Sequence, residues 1–89
     1  MVNNEDSVRI EVARLYKMTE EGNLKAFADV NLNGLVIIKG VRVVGGKKGL
    51  FVSMPREKGK DGKWYDSVSP LTKEIREKLN EAVLECYAL

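Results

Sequence analysis

The chain has 89 residues, 44% hydrophobic and 31% charged, with a formal net charge of +2; this is the profile of one small folded domain and excludes a disordered segment. No apolar run approaches the length of a membrane span, histidine is absent and Cys86 is the single cysteine. A membrane-spanning helix, an internal disulfide, a zinc site and histidine-based acid–base or triad chemistry are therefore excluded.

Residues 1–7 are polar and lack the basic-then-apolar order of a signal peptide, so they are expected to form a flexible tail before a single domain over residues 8–89. From Val8 the pattern alternates, with Val8, Ile10 and Val12 on one side and Arg9 and Glu11 on the other, as in a half-buried strand. A turn cluster over residues 19–23 follows. Leu24, Ala26, Ala28, Val30 and Leu32 then alternate with Lys25, Phe27, Asp29 and Asn31, a second strand.

Asn33 and Gly34 both tolerate positive φ and mark a two-residue hairpin loop into a third strand over residues 35–44. That loop length predicts the pairs Leu32–Leu35, Val30–Ile37, Ala26–Val41 and Leu24–Val43 on one apolar face, with Lys39 opposite Ala28 as the exception. The same register gathers Phe27, Val36 and Ile38 on the opposite face, an apolar surface suited to a dimer interface. A β-bulge at Gly40 would shift these assignments.

Gly45, Gly46, Lys47, Lys48 and Gly49 form a basic loop, and residues 50–54 a short strand ended by Pro55. Residues 56–63 are polar and contain the turn pair Asp61-Gly62; with strand-prone residues 64–68 they predict a second hairpin with an exposed end. Leu71, Ile75, Leu79, Ala82, Val83 and Cys86 then recur at spacings of three and four, one face of an amphipathic helix. Its N-cap is Thr72, or else Ser69 with Pro70 at the first helical position. The fold class is α+β: an antiparallel sheet of about five strands in hairpins with one C-terminal amphipathic helix. One helix covers one face of a sheet, which leaves the other for a partner.

The net charge conceals an uneven distribution. Residues 1–38 and 64–89 are each net negative, whereas residues 39–63 hold eight basic side chains against Glu57 and Asp61. Such asymmetry points to an anionic partner. Lys47, Lys48, Arg56, Lys58, Lys60 and Lys63 lie in the two loops and are the candidate phosphate contacts. Trp64 is expected to anchor in the core, stacking on bases being the other reading. The loop at residues 45–49 lacks the spacing of a phosphate-binding P-loop and precedes a strand rather than a helix, so it is not a nucleotide site. A lone Cys86 on an apolar helix face reads as a core residue. No enzyme activity, cofactor, metal or small-molecule substrate is expected, and the single cysteine suits the cytoplasm.

The run from Gly49 to Pro55, G-L-F-V-S-M-P, followed by Asp61-Gly62, an aromatic at Trp64, Asp66 and Pro70, resembles the SpoVG septation-regulator family of bacteria. Val8 to Ile10, Lys25 and Ala26, Val41 to Val43, and Glu81 to Val83 with Tyr87 extend the likeness over residues 8–87. The resemblance implies a cytoplasmic homodimer that binds DNA, and RNA, as a regulator of gene expression linked to cell division and sporulation. Arg56, Glu57 and Lys58 stand where the family has a small residue and two basic ones, and Lys60 replaces a proline, so only Lys58 carries over as a contact residue. A reading of another class is an interaction adaptor whose basic hairpin docks on an acidic protein.

Overall fold

The computed structural model describes residues 8–19 and 21–89; the expected tail over residues 1–7 lies outside them. The elements in chain order are β1 (Ile10–Lys17), β2 (Leu24–Leu32), β3 (Val36–Gly46), β4 (Gly49–Ser53), β5 (Arg56–Lys58), β6 (Trp64–Asp66) and α1 (Lys73–Ala88). β1 to β4 form one antiparallel sheet in sequence order, and β5 and β6 pair separately. The architecture is α+β as expected, with the second hairpin forming a small sheet of its own.

Register is where the structure departs from the simple pattern. Asn33 (φ 56°) and Gly34 (φ 71°) form the expected turn, and the Leu35 N–H donates to the Leu32 carbonyl at 2.9 Å. The ladder nevertheless begins at Leu32 opposite Val36, which leaves Leu35 as an extra residue, 82% exposed. The pairings next to it are displaced by one, so Asn31 faces Ile37 and Val30 faces Ile38 rather than Ile37. A second irregularity follows at Gly40, whose φ of +83° suits a bulge, and it restores apolar partners farther along: Ala28 faces Val41 and Ala26 faces Val43. The expected misfit of Lys39 opposite Ala28 disappears, because Lys39 turns outward.

These shifts break up the expected interface of Phe27, Val36 and Ile38. Ile38 is buried in the core, Val36 is exposed at the end of the same face, and Phe27 lies on the opposite face beside Arg42. A one-residue slip moves a side chain to the other side of a sheet, which is why the three share no surface.

The core lies between the sheet and α1. Ala26, Ala28, Val30, Ile38, Val41 and Val43 supply the sheet side, and Leu79 and Val83 the helix side. The two alanines leave room for the helix, and Val12, Leu15, Val52, Ile75 and Tyr87 close the margins. A bulge between Val12 and Arg14 keeps Val12 opposite Val30 and Leu15 opposite Ala28, so β1 presents apolar residues to the core on both sides of it.

Thr72 caps α1: its extended backbone (φ −123°, ψ 157°) places Oγ1 to accept from the Ile75 N–H at 3.2 Å. Leu71 therefore precedes the helix rather than contributing to its buried face, and it is 97% exposed. No basic residue occupies the last turn. Lys17 of β1 supplies the cation instead, with Nζ 3.5 Å from the Leu89 carbonyl and 5.0 Å from the Tyr87 ring centroid, a favourable position at a helix C-terminus.

Candidate nucleic-acid interface

Pro55 has no N–H to extend the β4 ladder, and the chain leaves the main sheet there. The Ser67 N–H donates to the Pro55 carbonyl at 2.9 Å and closes the base of the β5–β6 hairpin. Arg56 pairs with Asp66, Glu57 with Tyr65 and Lys58 with Trp64. Side chains alternate across so short a ribbon, so Arg56, Lys58, Trp64 and Asp66 share one face while Glu57 and Tyr65 share the other.

The tip is shaped by its own groups. Gly59 N–H donates to the Lys63 carbonyl at 2.8 Å, and Gly62 N–H to the Gly59 carbonyl at 3.0 Å. Asp61 accepts from the Lys63 N–H at 3.0 Å and from the Tyr65 hydroxyl. The Tyr65 hydrogen bond, then the Lys63 N–H, hold the Asp61 carboxyl below its ordinary pKa, and the same bond raises Tyr65. Tyr65 also lies against Gly59, where an added Cβ would come within 2.8 Å of its ring.

This arrangement uses the acidic and phenolic groups internally and leaves the lysines outward. Lys58, Lys60 and Lys63 are exposed, and among the described residues none of their side chains has a hydrogen bond or ion pair. Arg56 differs: its Nε lies 3.1 Å from Asp66 Oδ1, both side chains being about half exposed. Trp64, expected in the core, is 57% exposed beside Lys58. Among the described residues α1 packs on the four-stranded sheet, and the hairpin meets it only at its base, where Arg56 and Asp66 line a recess with Arg76 and Asn80.

Lys47 and Lys48 do not join this group. They form the turn between β3 and β4, whereas the hairpin leaves from the other end of β4, a strand of about 13 Å by its rise per residue. The six candidate residues thus divide into three free lysines on the hairpin, a paired arginine at its base and two lysines on a distant turn. Cys86 is half-buried, and among the described residues no group of three or more acidic or cysteine side chains is placed to hold a metal ion.

The sequence model of the SpoVG family matches this chain over residues 8–89. The chain belongs to the SpoVG family. It is similar to the septation protein SpoVG so named in Archaeoglobus fulgidus, 42% identical over 78 residues that cover 88% of this chain and 92% of that one. The protein of that name in Symbiobacterium thermophilum is 42% identical over 80 residues, 90% of this chain and 57% of its own greater length. That of Clostridioides difficile is 34% identical over 80 residues, covering 90% of this chain and 87% of that protein. The SpoVG match takes in the whole sheet, the hairpin and α1, so both basic loops lie within the family's domain.

Proposed function

We propose that this SpoVG domain is a homodimeric, nucleic-acid-binding regulator of gene expression in the cytoplasm, with DNA or RNA as partner and a role linked to sporulation and to septation, the latter being the word its relatives' names carry. The observation that supports it best is the hairpin: an unpaired Lys58 beside the exposed Trp64 indole, with unpaired Lys60 and Lys63 at a tip whose Asp61 is already engaged. Cations on a protruding hairpin neutralise successive phosphates and release counterions, and an exposed ring beside them stacks on a base. The solvent side of α1 carries Glu74, Glu77, Glu81 and Glu85 against Lys73 and Arg76, a net negative surface that disfavours a phosphate backbone, so it does not act as a recognition helix.

Dimerisation belongs to the same reading. Leu35, Val36 and Leu71 are exposed around a cleft lined by Leu32, Ile38, Pro70 and Ile75, and a second copy of the chain is the proposed occupant. So small a core favours additional burial between subunits.

The test is a binding titration across salt concentration with duplex DNA. About four phosphate contacts, three of them from the hairpin lysines, give a slope of log K against log salt near −3 to −4. Absence of binding to DNA and RNA at low salt favours the adaptor reading instead, in which the hairpin docks on an acidic protein. A monomeric mass by light scattering at micromolar concentration overturns the dimer.

A further inference from the structure

The sheet face turned away from α1 carries a second arrangement of aromatic and basic side chains. Tyr16, Phe27, Arg42 and Ser53 lie in one cross-strand row, since Tyr16 pairs with Phe27, Phe27 with Arg42 and Arg42 with Ser53. Phe51 lies two residues along β4 from Ser53 on the same face. Tyr16 is 54% and Phe51 50% exposed, and Phe27 is half-buried between them with the Arg42 guanidinium 5.7 Å from its ring centroid. Arg14 donates to the Tyr16 hydroxyl at 3.2 Å, and Lys39 lines a shallow recess with Arg14 and Asp29.

Phe51 also connects this face to the isolated basic turn. Its ring lies over Gly46, where an added Cβ would meet it at 3.1 Å, and Gly46 leads directly into Lys47 and Lys48. Arg14, Lys39, Arg42, Lys47 and Lys48 therefore surround the rings, against Glu11 and Asp29. Rings flanked by cations on an open sheet suit bases that are unstacked and phosphates that pass alongside. In a duplex the bases are stacked inside and inaccessible to such rings.

We infer that the outer face of the β1–β4 sheet is a stacking platform for single-stranded nucleic acid, with bases on Tyr16 and Phe51 and phosphates on Arg14, Arg42, Lys47 and Lys48. It rests on the nucleic-acid reading above and adds to it a surface separate from the hairpin and a strand state. It also gives Lys47 and Lys48 a role that their distance from the hairpin otherwise leaves unexplained.

Fluorescence anisotropy with a labelled oligothymidine, an abasic strand of equal length and a duplex tests this. The Tyr16→Ala/Phe51→Ala variant is expected to lose about tenfold or more in affinity for the oligothymidine, given the usual worth of a base–ring stack. The same variant keeps the wild-type affinity for the abasic strand, and Tyr16→Phe/Phe51→Tyr, which retains both rings, keeps affinity for oligothymidine. Equal affinity of the alanine variant and wild type for oligothymidine overturns the inference, as does an equal loss on the abasic strand. Dissociation of an oligomer by Phe51→Ala also overturns it, since a second copy then covers the face. Replacing Lys58, Lys60 and Lys63 with Glu separates the two sites. If that change leaves every affinity intact while the alanine variant loses oligothymidine binding, the hairpin assignment fails and the platform stands. If wild type binds none of the three probes, both fail.

Discussion

The Tyr65 hydroxyl donates to Asp61 Oδ2 at 2.5 Å, tying β6 to the tip that carries Lys60 and Lys63. The bond lowers the pKa of Asp61 and raises that of Tyr65, so tip order depends on pH in both directions. A depressed carboxyl contributes above its unfolded value of about 3.9 and loses that contribution as pH falls through its lower folded value. A raised phenol contributes below its unfolded value of about 10 and loses that contribution as pH rises through its higher folded value. The Gly59 and Lys63 amide chemical shifts are expected to be constant between these limits and to move outside them. Asp61→Asn removes the acid-side change, and an unaltered acid titration in that variant would show that another group governs the tip.

On the proposed reading, Lys58, Lys60 and Lys63 serve binding and not the fold. Lys58→Glu/Lys60→Glu/Lys63→Glu is expected to weaken DNA binding and reduce the salt slope by about 3, roughly 0.9 for each phosphate left without its cation. The thermal midpoint should stay within a few degrees of wild type, because exposed charges contribute little to stability. A large fall in midpoint with the loss of binding would mean that the lysines hold the hairpin together.

Gly40 is required by its backbone rather than by space. Among the described residues nothing lies within 4 Å of an added Cβ, but φ is +83°. Gly40→Ala is therefore expected to destabilise by about 1–2 kcal/mol, the cost of a left-handed conformation for an L-residue. Urea denaturation measures this, and no change in midpoint would mean that the bulge relocates at no cost.

Packing and capping of α1 differ in weight. Leu79→Ala, in the buried interface with β2 and β3, is expected to cost about 2–5 kcal/mol. Thr72→Ala removes the bond to the Ile75 N–H and is expected to cost about 0.5–2 kcal/mol. Calorimetry on both variants checks the order, and a larger effect at Thr72 would place the helix's stability in its cap rather than its packing.

Much of the fold is legible in the chain itself. Alternation marks β2, Asn33 and Gly34 mark the turn, and the spacing from Ile75 to Cys86 marks α1, because period and turn chemistry are local properties. Face assignments are not local. Leu35 and Gly40 each add a residue to one strand only, and the sequence does not say whether a ladder absorbs such an extra residue or slips. The outer-face row of Tyr16, Phe27 and Arg42 is obscured for the same reason, since a bulge also interrupts β1 between Val12 and Arg14.

The sequence by itself determined that this is a small α+β SpoVG domain with its positive charge in residues 39–63, since composition, periodicity and the run from Gly49 to Pro55 are all readable along one chain. Only the tertiary structure decided which of those charges lie together. The hairpin and the turn lie at opposite ends of β4, Asp66 holds Arg56, and Trp64 is exposed because the single helix is occupied in covering the four-stranded sheet. Charge is a property of residues, but a binding surface depends on where strands end and what packs over them.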